Sequence, residues 1–376
     1  MAKPKDLRAL IDLTHTTQTL LTHYQSSLTP SKDTPLTPST TTSTSTSTTE
    51  IPDPLSVITA STTLLKSHTT TLSLLLLTPP LTPSALIAKL NDVTSGPLSG
   101  MVAAASYIPS EGQKGDIENI MRTEVKAQVR RLLGTWGDVL GCVVRMAEKR
   151  NGGKDVAKEE MEKEKQDVLS ATGVVWEACD ALLKLCADGV VGLVVKKAQE
   201  LRAVLLDAIE ELKEWGEDVD DKNDEAEGSD GEDEDEIFGA ENKLGKDDTE
   251  LKELLDTSVK KLKMVGMLYQ ALIKRRLKTY PASSTQDPTA ATTNGTTASP
   301  SKTLDELMGL LKSIPETVDD IAGAFYDLDE DEAQQTVDKC CGEAKNTIGL
   351  VSKSWAGTDD EFTVWSGKWV RALDAA

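Results

Sequence analysis

Histidine is the side chain most often used for proton transfer and zinc binding, and it occurs at His15, His23 and His68. His15 and His23 are eight residues apart, so they share a face if this segment is helical. A zinc site would need further ligands nearby, and the first cysteine along the chain is Cys142. We therefore expect the histidines to be partly exposed polar residues without a catalytic or metal-binding role.

The acidic string over residues 327–338 has carboxylates at positions 1, 3, 5 and 12 of a calcium-binding EF-hand loop. Position 6 is Glu332, where the sharp turn of such a loop needs glycine, and position 12 is Asp338 instead of the longer glutamate. The string suits a turn between two helices, because carboxylates are favourable at a helix N-terminus. No metal site is predicted.

The sequence contains no motif for nucleotide binding or for redox chemistry. Neither G-x-x-x-x-G-K-[ST] nor G-x-G-x-x-G occurs, so no nucleotide cofactor is predicted. The five cysteines form no C-x-x-C pair, which favours reduced thiols inside the cell. The adjacent Cys340 and Cys341 favour packing over redox chemistry. With no catalytic residue, metal or cofactor predicted, we expect a protein that is not an enzyme.

Three features could bind partners or be modified. The predicted helix over 249–280 ends in a basic cluster, which either complements the helix dipole or forms a nuclear-import or partner patch. The run over 214–236 holds fourteen carboxylates against one lysine, a local charge of −13, and is either a solvated linker or a phosphorylated segment with Ser229 as the candidate phosphosite. The members of the basic cluster are Lys274, Arg275, Arg276 and Lys278.

The third feature is an aromatic face near the end of the chain. Phe362, Trp365 and Trp369 follow the i, i+3, i+7 spacing, which places three rings on one side of a helix. Such a face either packs into the core or lines a groove for a partner, and core packing is the favoured interpretation.

Composition points to helices. The chain has 376 residues and a net charge of −21, which argues against direct nucleic-acid binding. Aromatic residues make up 4%, so the core must consist of Leu, Val, Ala and Ile. The N-terminus has no signal-peptide core, and the longest apolar runs, 74–77 and 189–195, are too short to span a bilayer. We expect an intracellular protein that does not bind membranes.

Apolar residues recur with helical spacing along most of the chain, and no segment shows the alternation of a strand. In the segment 166–187, for example, the predicted apolar stripe includes Leu169, Val174, Trp176 and Leu182. Long helices with single stripes can bury them only against one another. The predicted helices cover 7–21, 55–76, 84–93, 97–108, 116–149, 166–187, 191–212, 249–280, 304–314, 316–327, 331–355 and 359–373.

The sequence therefore predicts an all-α protein made of two antiparallel helical bundles, of the four- or five-helix type, joined by an acidic linker. The first bundle covers 1–215 and contains a disordered Ser/Thr-rich insertion at 37–53. The linker covers 216–245. The second bundle covers 246–376 and contains a disordered loop at 281–303.

Several strings resemble the GCIP family, the cyclin-D-binding proteins. They are TGVVWEACD at 172–180, a following long helix to Trp215, the acidic run 232–236 leading into Ile237-Phe238-Gly239, and a basic-ended helix to Tyr280. The resemblance covers most of the chain from about residue 50 onward. The Ser/Thr-rich insertion and the 281–303 loop depart from it.

This resemblance implies helical bundles similar to talin or vinculin modules. It also implies a non-enzymatic regulator of the cell cycle or transcription, present in nucleus and cytoplasm, that binds other proteins such as a cyclin or helix-loop-helix transcription regulators. The family offers no catalytic residues to carry over. The alternative function is a talin- or vinculin-like cytoskeletal scaffold or adaptor.

Overall fold

A computed structural model of the chain describes residues 4–29, 53–107, 118–152, 158–217, 243–245, 248–281 and 300–376. Within these ranges all regular structure is helical and there is no strand, which confirms the all-α class. The helices are α1 Pro4–Ser27, α2 Pro54–Leu77, α3 Pro83–Val93, α4 Ser99–Ser106, α5 Asn119–Asn151, α6 Lys158–Glu217, α7 Thr249–Arg275, α8 Pro300–Tyr326, α9 Glu330–Leu350 and α10 Glu361–Asp374.

The chain divides into two compact units, residues 1–189 and 190–376. The division falls within α6 at Gly189, whose φ of 62° and ψ of −165° interrupt the helix in a conformation that favours glycine. The predicted boundary at 216–245 lies later in the chain. Because residues 218–242 and 30–52 lie outside the described ranges, the acidic linker and the Ser/Thr-rich insertion stay predictions. Of the predicted loop over 281–303, residues 300–303 form the first turn of α8.

In the first unit, contacts between α5 and α6 run in opposite directions along the two helices. Arg131 pairs with Glu177, and Arg150 pairs with Glu164 at 3.1 Å. The same holds for α2 and α6, because Lys66 pairs with Asp180 while the hydroxyls of Ser73 and Thr172 meet at 2.5 Å. Both pairs of helices are therefore antiparallel.

Helix α2 is confirmed although it is rich in threonine, a poor helix former. Its threonine hydroxyls donate to the carbonyl four residues earlier, as from Thr62 to Ile58 and from Thr69 to Leu65. This bonding satisfies the hydroxyls within the helix and lets Thr62 and Thr69 be buried. Thr69 also accepts a hydrogen bond from the indole nitrogen of the buried Trp136.

In the second unit, α8 and α9 are joined by a short turn and pack against each other. The hydroxyl of Thr317 donates to Glu343, and Lys339 pairs with Asp320. After Gly189, α6 packs on α7 in the same antiparallel sense: Arg202 donates to the carbonyl of Gly266, and Gly216 lies against the side chain of Leu255.

The predicted break between 304–314 and 316–327 is wrong, because α8 continues through Pro315. Proline has no N–H, so Pro315 leaves the carbonyl of Leu311 without its helical donor. The buried hydroxyl of Tyr269 on α7 donates to that carbonyl at 2.5 Å. A side chain of a neighbouring helix thus replaces the bond that proline removes, which sequence periodicity does not reveal.

Candidate functional site

The basic cluster at the end of α7 divides into exposed and buried members. Lys274, Arg275 and Lys278 are exposed, and Arg275 pairs with Glu361 at 2.9 Å. The side chain of Arg276 is only 1% exposed. As a surface patch the cluster therefore consists of three residues, and its import role stays a prediction.

The guanidinium of Arg276 joins the end of α7 to the loop between α9 and α10. It donates to the carbonyls of Val351 and Ser352 at 2.7 and 3.0 Å. It also binds both carboxylate oxygens of Asp360, at 2.7 and 2.9 Å, and lies 4.3 Å from the ring centre of Phe362. A buried arginine with this many acceptors is a structural clamp.

Asp360 is both the ion-pair partner of Arg276 and the N-cap of α10. Its side chain accepts from the backbone N–H of Thr363, while the Thr363 hydroxyl accepts from the N–H of Asp360, which completes a capping box. Hydrogen bonding from Arg276, reinforced by the Thr363 N–H, holds the pKa of the Asp360 carboxyl well below its ordinary value despite opposition from burial.

The three rings of the predicted aromatic face lie in a row along α10. Phe362 and Trp365 have ring centres 5.5 Å apart, and those of Trp365 and Trp369 are 6.4 Å apart. Phe362 and Trp369 are buried, and the indole of Trp369 donates to the carbonyl of Met264 on α7 at 3.0 Å. Trp365 is half-buried. Two of the three rings thus hold α10 against α7.

The other residues singled out in the sequence have no catalytic geometry in the part of the chain that the structure describes. Ser229 lies outside the described residues, so its phosphorylation stays a prediction. Burial raises the pKa of the Cys179 and Cys340 thiols to about 12, which disfavours the reactive thiolate. Burial and the nearby Lys89 lower the pKa of His68. In the part of the chain that the structure describes, no three potential ligands are grouped to hold a metal ion. None of the described helices combines the length and the hydrophobicity of a transmembrane span.

The structure shows an exposed apolar surface along α2 and the first half of α6 that was not predicted from the sequence. Three residues of the apolar stripe predicted for α6, Leu169, Val174 and Trp176, are exposed, whereas Leu182 is buried as predicted. The residues that α6 buries there include Val168, Thr172, Val175, Ala178, Cys179 and Leu182. Thr172 can occupy a core position because its hydroxyl bonds to the carbonyl of Val168 and to the hydroxyl of Ser73. Since threonine is polar, the buried face of α6 cannot be recognised from the hydrophobic pattern of the sequence.

A second groove lies in the other unit, between α8 and α9. It has a volume of about 670 Å³ and is lined by Gly309, Leu310, Gly349 and Leu350, with Lys345 at its side. Lys345 forms an ion pair with Asp374. The groove is shallow and its leucines are half-buried, so it offers less exposed apolar surface than Leu169 and Trp176 do.

These features define a helical protein with exposed apolar side chains on α2 and α6. Residues 57–218, from α2 to just beyond the end of α6, match the family described as "Grap2 and cyclin-D-interacting, N-terminal". The resemblance predicted from the sequence is thereby confirmed, and this segment is a domain of that family. A protein of Schizosaccharomyces pombe described as uncharacterized is 24% identical over 326 residues, which are 85% of this chain and 84% of the relative.

Proposed function

We propose that this protein is a non-enzymatic regulator that works by binding other proteins, as the cyclin-D-binding proteins do, in cell-cycle or transcription control. The observation that carries the proposal is the match of residues 57–218 to the family described as Grap2 and cyclin-D-interacting. The exposed apolar residues of α2 and α6 lie within the matched segment and supply surface for such binding.

We also propose that each unit is an antiparallel helical bundle and that partners bind in the helix-in-groove mode. The antiparallel contacts of α2, α5 and α6 support this arrangement in the first unit, and those of α8 and α9 support it in the second. A partner helix would add to grooves that already exist between packed helices. The acidic run at 216–245 falls between α6 and α7, after the division at Gly189, and is proposed to be a solvated linker between these two helices.

The proposed partners are a cyclin or helix-loop-helix transcription regulators, and the proposed compartments are the nucleus and the cytoplasm. Lys274, Arg275 and Lys278 are the exposed cations that an import receptor could read. Replacing these three with alanine, while keeping Arg276, is expected to reduce nuclear signal of a fluorescent fusion. An unchanged distribution would contradict the import role.

Direct binding to a purified D-type cyclin tests the proposed function. The full-length chain should give saturable binding in calorimetry or surface plasmon resonance, whereas an A-type cyclin at the same concentrations should bind much more weakly. Absence of saturable binding to D-type cyclin, together with cosedimentation of the chain with actin filaments, would contradict the proposal and favour a cytoskeletal scaffold.

A further inference from the structure

We propose that Thr29, which follows α1, is a phosphorylation site for a proline-directed serine/threonine kinase, and that its phosphate pairs with Lys126 and Arg130 on α5. This inference goes beyond the proposed function and does not depend on it, because it concerns a modification of a segment that precedes the family match at 57–218. Three observations carry it: the sequence after Thr29, the exposure of its hydroxyl, and the register of α1 on α5.

The sequence Thr29-Pro30-Ser31-Lys32 has the two features by which a proline-directed kinase selects its substrate. Proline has no N–H, so it suits a binding pocket without a hydrogen-bond acceptor for the residue after the hydroxyl. Another residue there would leave its N–H buried and unpaired, which disfavours its binding. Lysine at the third position after the hydroxyl supplies a cation for an anionic group of the enzyme.

The pattern is rare among the hydroxyl residues of the chain. A serine or threonine precedes proline at six positions, which are Thr29, Thr34, Thr37, Thr78, Thr82 and Ser299. Lysine follows at the third position only after Thr29 and Ser299. Ser299 lies outside the described residues, so the structure bears on Thr29 alone. Thr78 and Thr82 are exposed and precede proline but lack the lysine, which makes them internal controls.

The hydroxyl of Thr29 is accessible to an enzyme. Thr29 is exposed, whereas the preceding Leu28 is 2% exposed and anchors the end of α1 in the core. The Thr29 hydroxyl donates to the carbonyl of Gln25 at 3.1 Å, and this bond is exposed, so water can replace it when the hydroxyl is modified. The acceptor oxygen for a phosphoryl group therefore lies at the surface beside an anchored helix end.

Helix α1 packs antiparallel on α5, and the contacts define which residues face each other. Leu21 lies against Gly137, and the side-chain amide of Gln25 lies against Gly134. The same amide donates to the carbonyl of Arg130 at 3.5 Å. Moving towards the end of α1 thus means moving towards the start of α5.

This register brings Thr29 to a pair of cations on α5. Thr29 follows Gln25 by about one helical turn, so it lies level with the turn from Lys126 to Arg130. These two cations are four residues apart, and Gly134, which α1 contacts, continues the same line along α5. Lys126 is half-buried and Arg130 is exposed. The two cations therefore border the end of α1 at which Thr29 lies.

Lys126 and Arg130 have no carboxylate partner in the part of the chain that the structure describes. On α1, no aspartate or glutamate follows Asp12. On α5, Glu124 lies two residues from Lys126, about 160° away around the helix. A phosphate on Thr29 carries about 1.5 to 2 negative charges at neutral pH and would therefore meet two cations without a competing carboxylate.

Ion pairs on the neighbouring helices do not involve these two cations. Lys89 and Asp92 on α3, which also contacts α1, pair with each other at 3.0 Å. Arg131 pairs with Glu177 on the side of α5 that faces α6. A phosphate on Thr29 would therefore form its pairs without breaking either of these.

In the proposed reaction, the kinase transfers the γ-phosphoryl group of ATP to Oγ1 of Thr29. The phosphorus–Oγ1 bond forms as the bond between the γ-phosphorus and the bridging oxygen of ADP breaks, and a base of the kinase takes the hydroxyl proton. The second pKa of a phosphate on threonine is about 6 in water. Lys126 and Arg130 stabilise the dianion, so they should lower this pKa.

Mass spectrometry of the full-length chain tests the modification. The chain is incubated with ATP, Mg²⁺ and the purified complex of an A-type cyclin with its kinase, a proline-directed enzyme. Thr29 should be phosphorylated at least about tenfold faster than Thr78 and Thr82, which lack the lysine. Pro30→Ala and Lys32→Gln should each slow the reaction at Thr29 by about tenfold. Equal rates at the three threonines, or no phosphate on Thr29, would overturn the proposal.

Phosphorus NMR of the phosphorylated full-length chain tests the pairing with Lys126 and Arg130, in a Ser299→Ala background so that a second phosphate does not overlap. The second pKa of the phosphate on Thr29 should lie below about 6, and it should return towards 6 when Lys126→Gln and Arg130→Gln are combined. Arg131→Gln is the matched control, because this neighbouring cation pairs with α6 instead, and it should leave the pKa unchanged. An unshifted pKa, or equal values with and without the two glutamine substitutions, would overturn the pairing.

These outcomes are separable from those of the proposed function. Binding of D-type cyclin without phosphorylation of Thr29 would contradict this inference alone, and phosphorylation of Thr29 without binding of D-type cyclin would contradict the proposed function alone. Circular dichroism of the chain with Lys126→Gln and Arg130→Gln should match that of the unchanged chain, because neither side chain is fully buried in the core.

Discussion

Helices α6 and α10 carry the same local pattern, an apolar residue followed seven positions later by tryptophan, but they place it in opposite environments. On α10, Phe362 and Trp369 are buried against the second unit's core. On α6, Leu169 and Trp176 are exposed on the first unit's surface. The spacing therefore places two apolar side chains on one face of a helix, and it does not decide whether that face is buried or exposed.

Buried polar residues explain why the apolar face is exposed on α6 and buried on α10. On α6, Thr172 is buried because Ser73 and Val168 supply partners for its hydroxyl, and the helix turns Leu169 and Trp176 outward. Near α10, Arg276 is buried because Asp360 and two carbonyls supply partners for its guanidinium, and Phe362 packs against it. In both places, long-range hydrogen bonds allow a polar side chain to occupy a position that a pattern of hydrophobic residues would exclude.

The largest contrast is expected between the two tryptophans. Trp369→Ala removes a buried indole and its bond to Met264, and should lower the free energy of unfolding by about 3–5 kcal/mol. Trp176→Ala removes an exposed ring and should change it by less than about 1 kcal/mol. Urea denaturation of the two full-length variants measures both. Similar costs would break the distinction between a buried and an exposed aromatic face.

A comparable loss is expected when the Arg276 clamp is removed. Arg276→Ala leaves the carbonyl of Val351 without its donor and removes the cation that pairs with Asp360, although Asp360 and the Ser352 carbonyl keep their hydrogen bonds from Thr363. This loss should cost about 3 kcal/mol or more in urea denaturation. Arg275→Ala is the neighbouring control, since its pair with Glu361 is exposed and should contribute less than about 1 kcal/mol. Equal effects of the two substitutions would contradict the structural role of Arg276.

A smaller loss is expected at the proline in α8. Tyr269→Phe should cost about 1–3 kcal/mol, because the buried carbonyl of Leu311 loses its donor. Adding Pro315→Ala restores a backbone N–H that can bond this carbonyl, so the double variant should recover part of the loss. If Pro315→Ala does not reduce the cost of Tyr269→Phe, the hydroxyl does not act as the substitute donor.

The pH dependence of stability should carry a contribution from Asp360. Its pKa is lower in the folded protein than the ordinary 3.8, so its contribution is complete above that value and is lost as the pH falls below it. The urea midpoint should therefore fall between about pH 5 and pH 3, and less steeply in Asp360→Asn. Identical pH profiles of the variant and the unchanged chain would show that this carboxylate is not held by Arg276.

The helical class and the position of most helices could be predicted from the sequence, because the 3.6-residue period is strong over long stretches such as α5 and α7. The phase of a stripe was harder to predict. On α6, the buried Thr172 occupies a position that the hydrophobic pattern assigns to the surface. On α8, Pro315 predicts a break that does not occur, because Tyr269 replaces the missing backbone donor. Arg276 was predicted to belong to a surface cluster, but its side chain is buried. Each error depends on a partner from a distant part of the chain, and local periodicity carries no information on such pairs.

Hydrogen–deuterium exchange of the full-length chain, with and without a purified D-type cyclin, tests whether partners bind at the exposed apolar residues of α2 and α6. The partner should slow exchange in α2 around residues 66–77 and in α6 around residues 166–180. Exchange in α10 should change little, because its aromatic face is already covered by its own unit. Protection confined to α10 or to the groove between α8 and α9, with none in α2 and α6, would contradict binding at the exposed residues of α2 and α6.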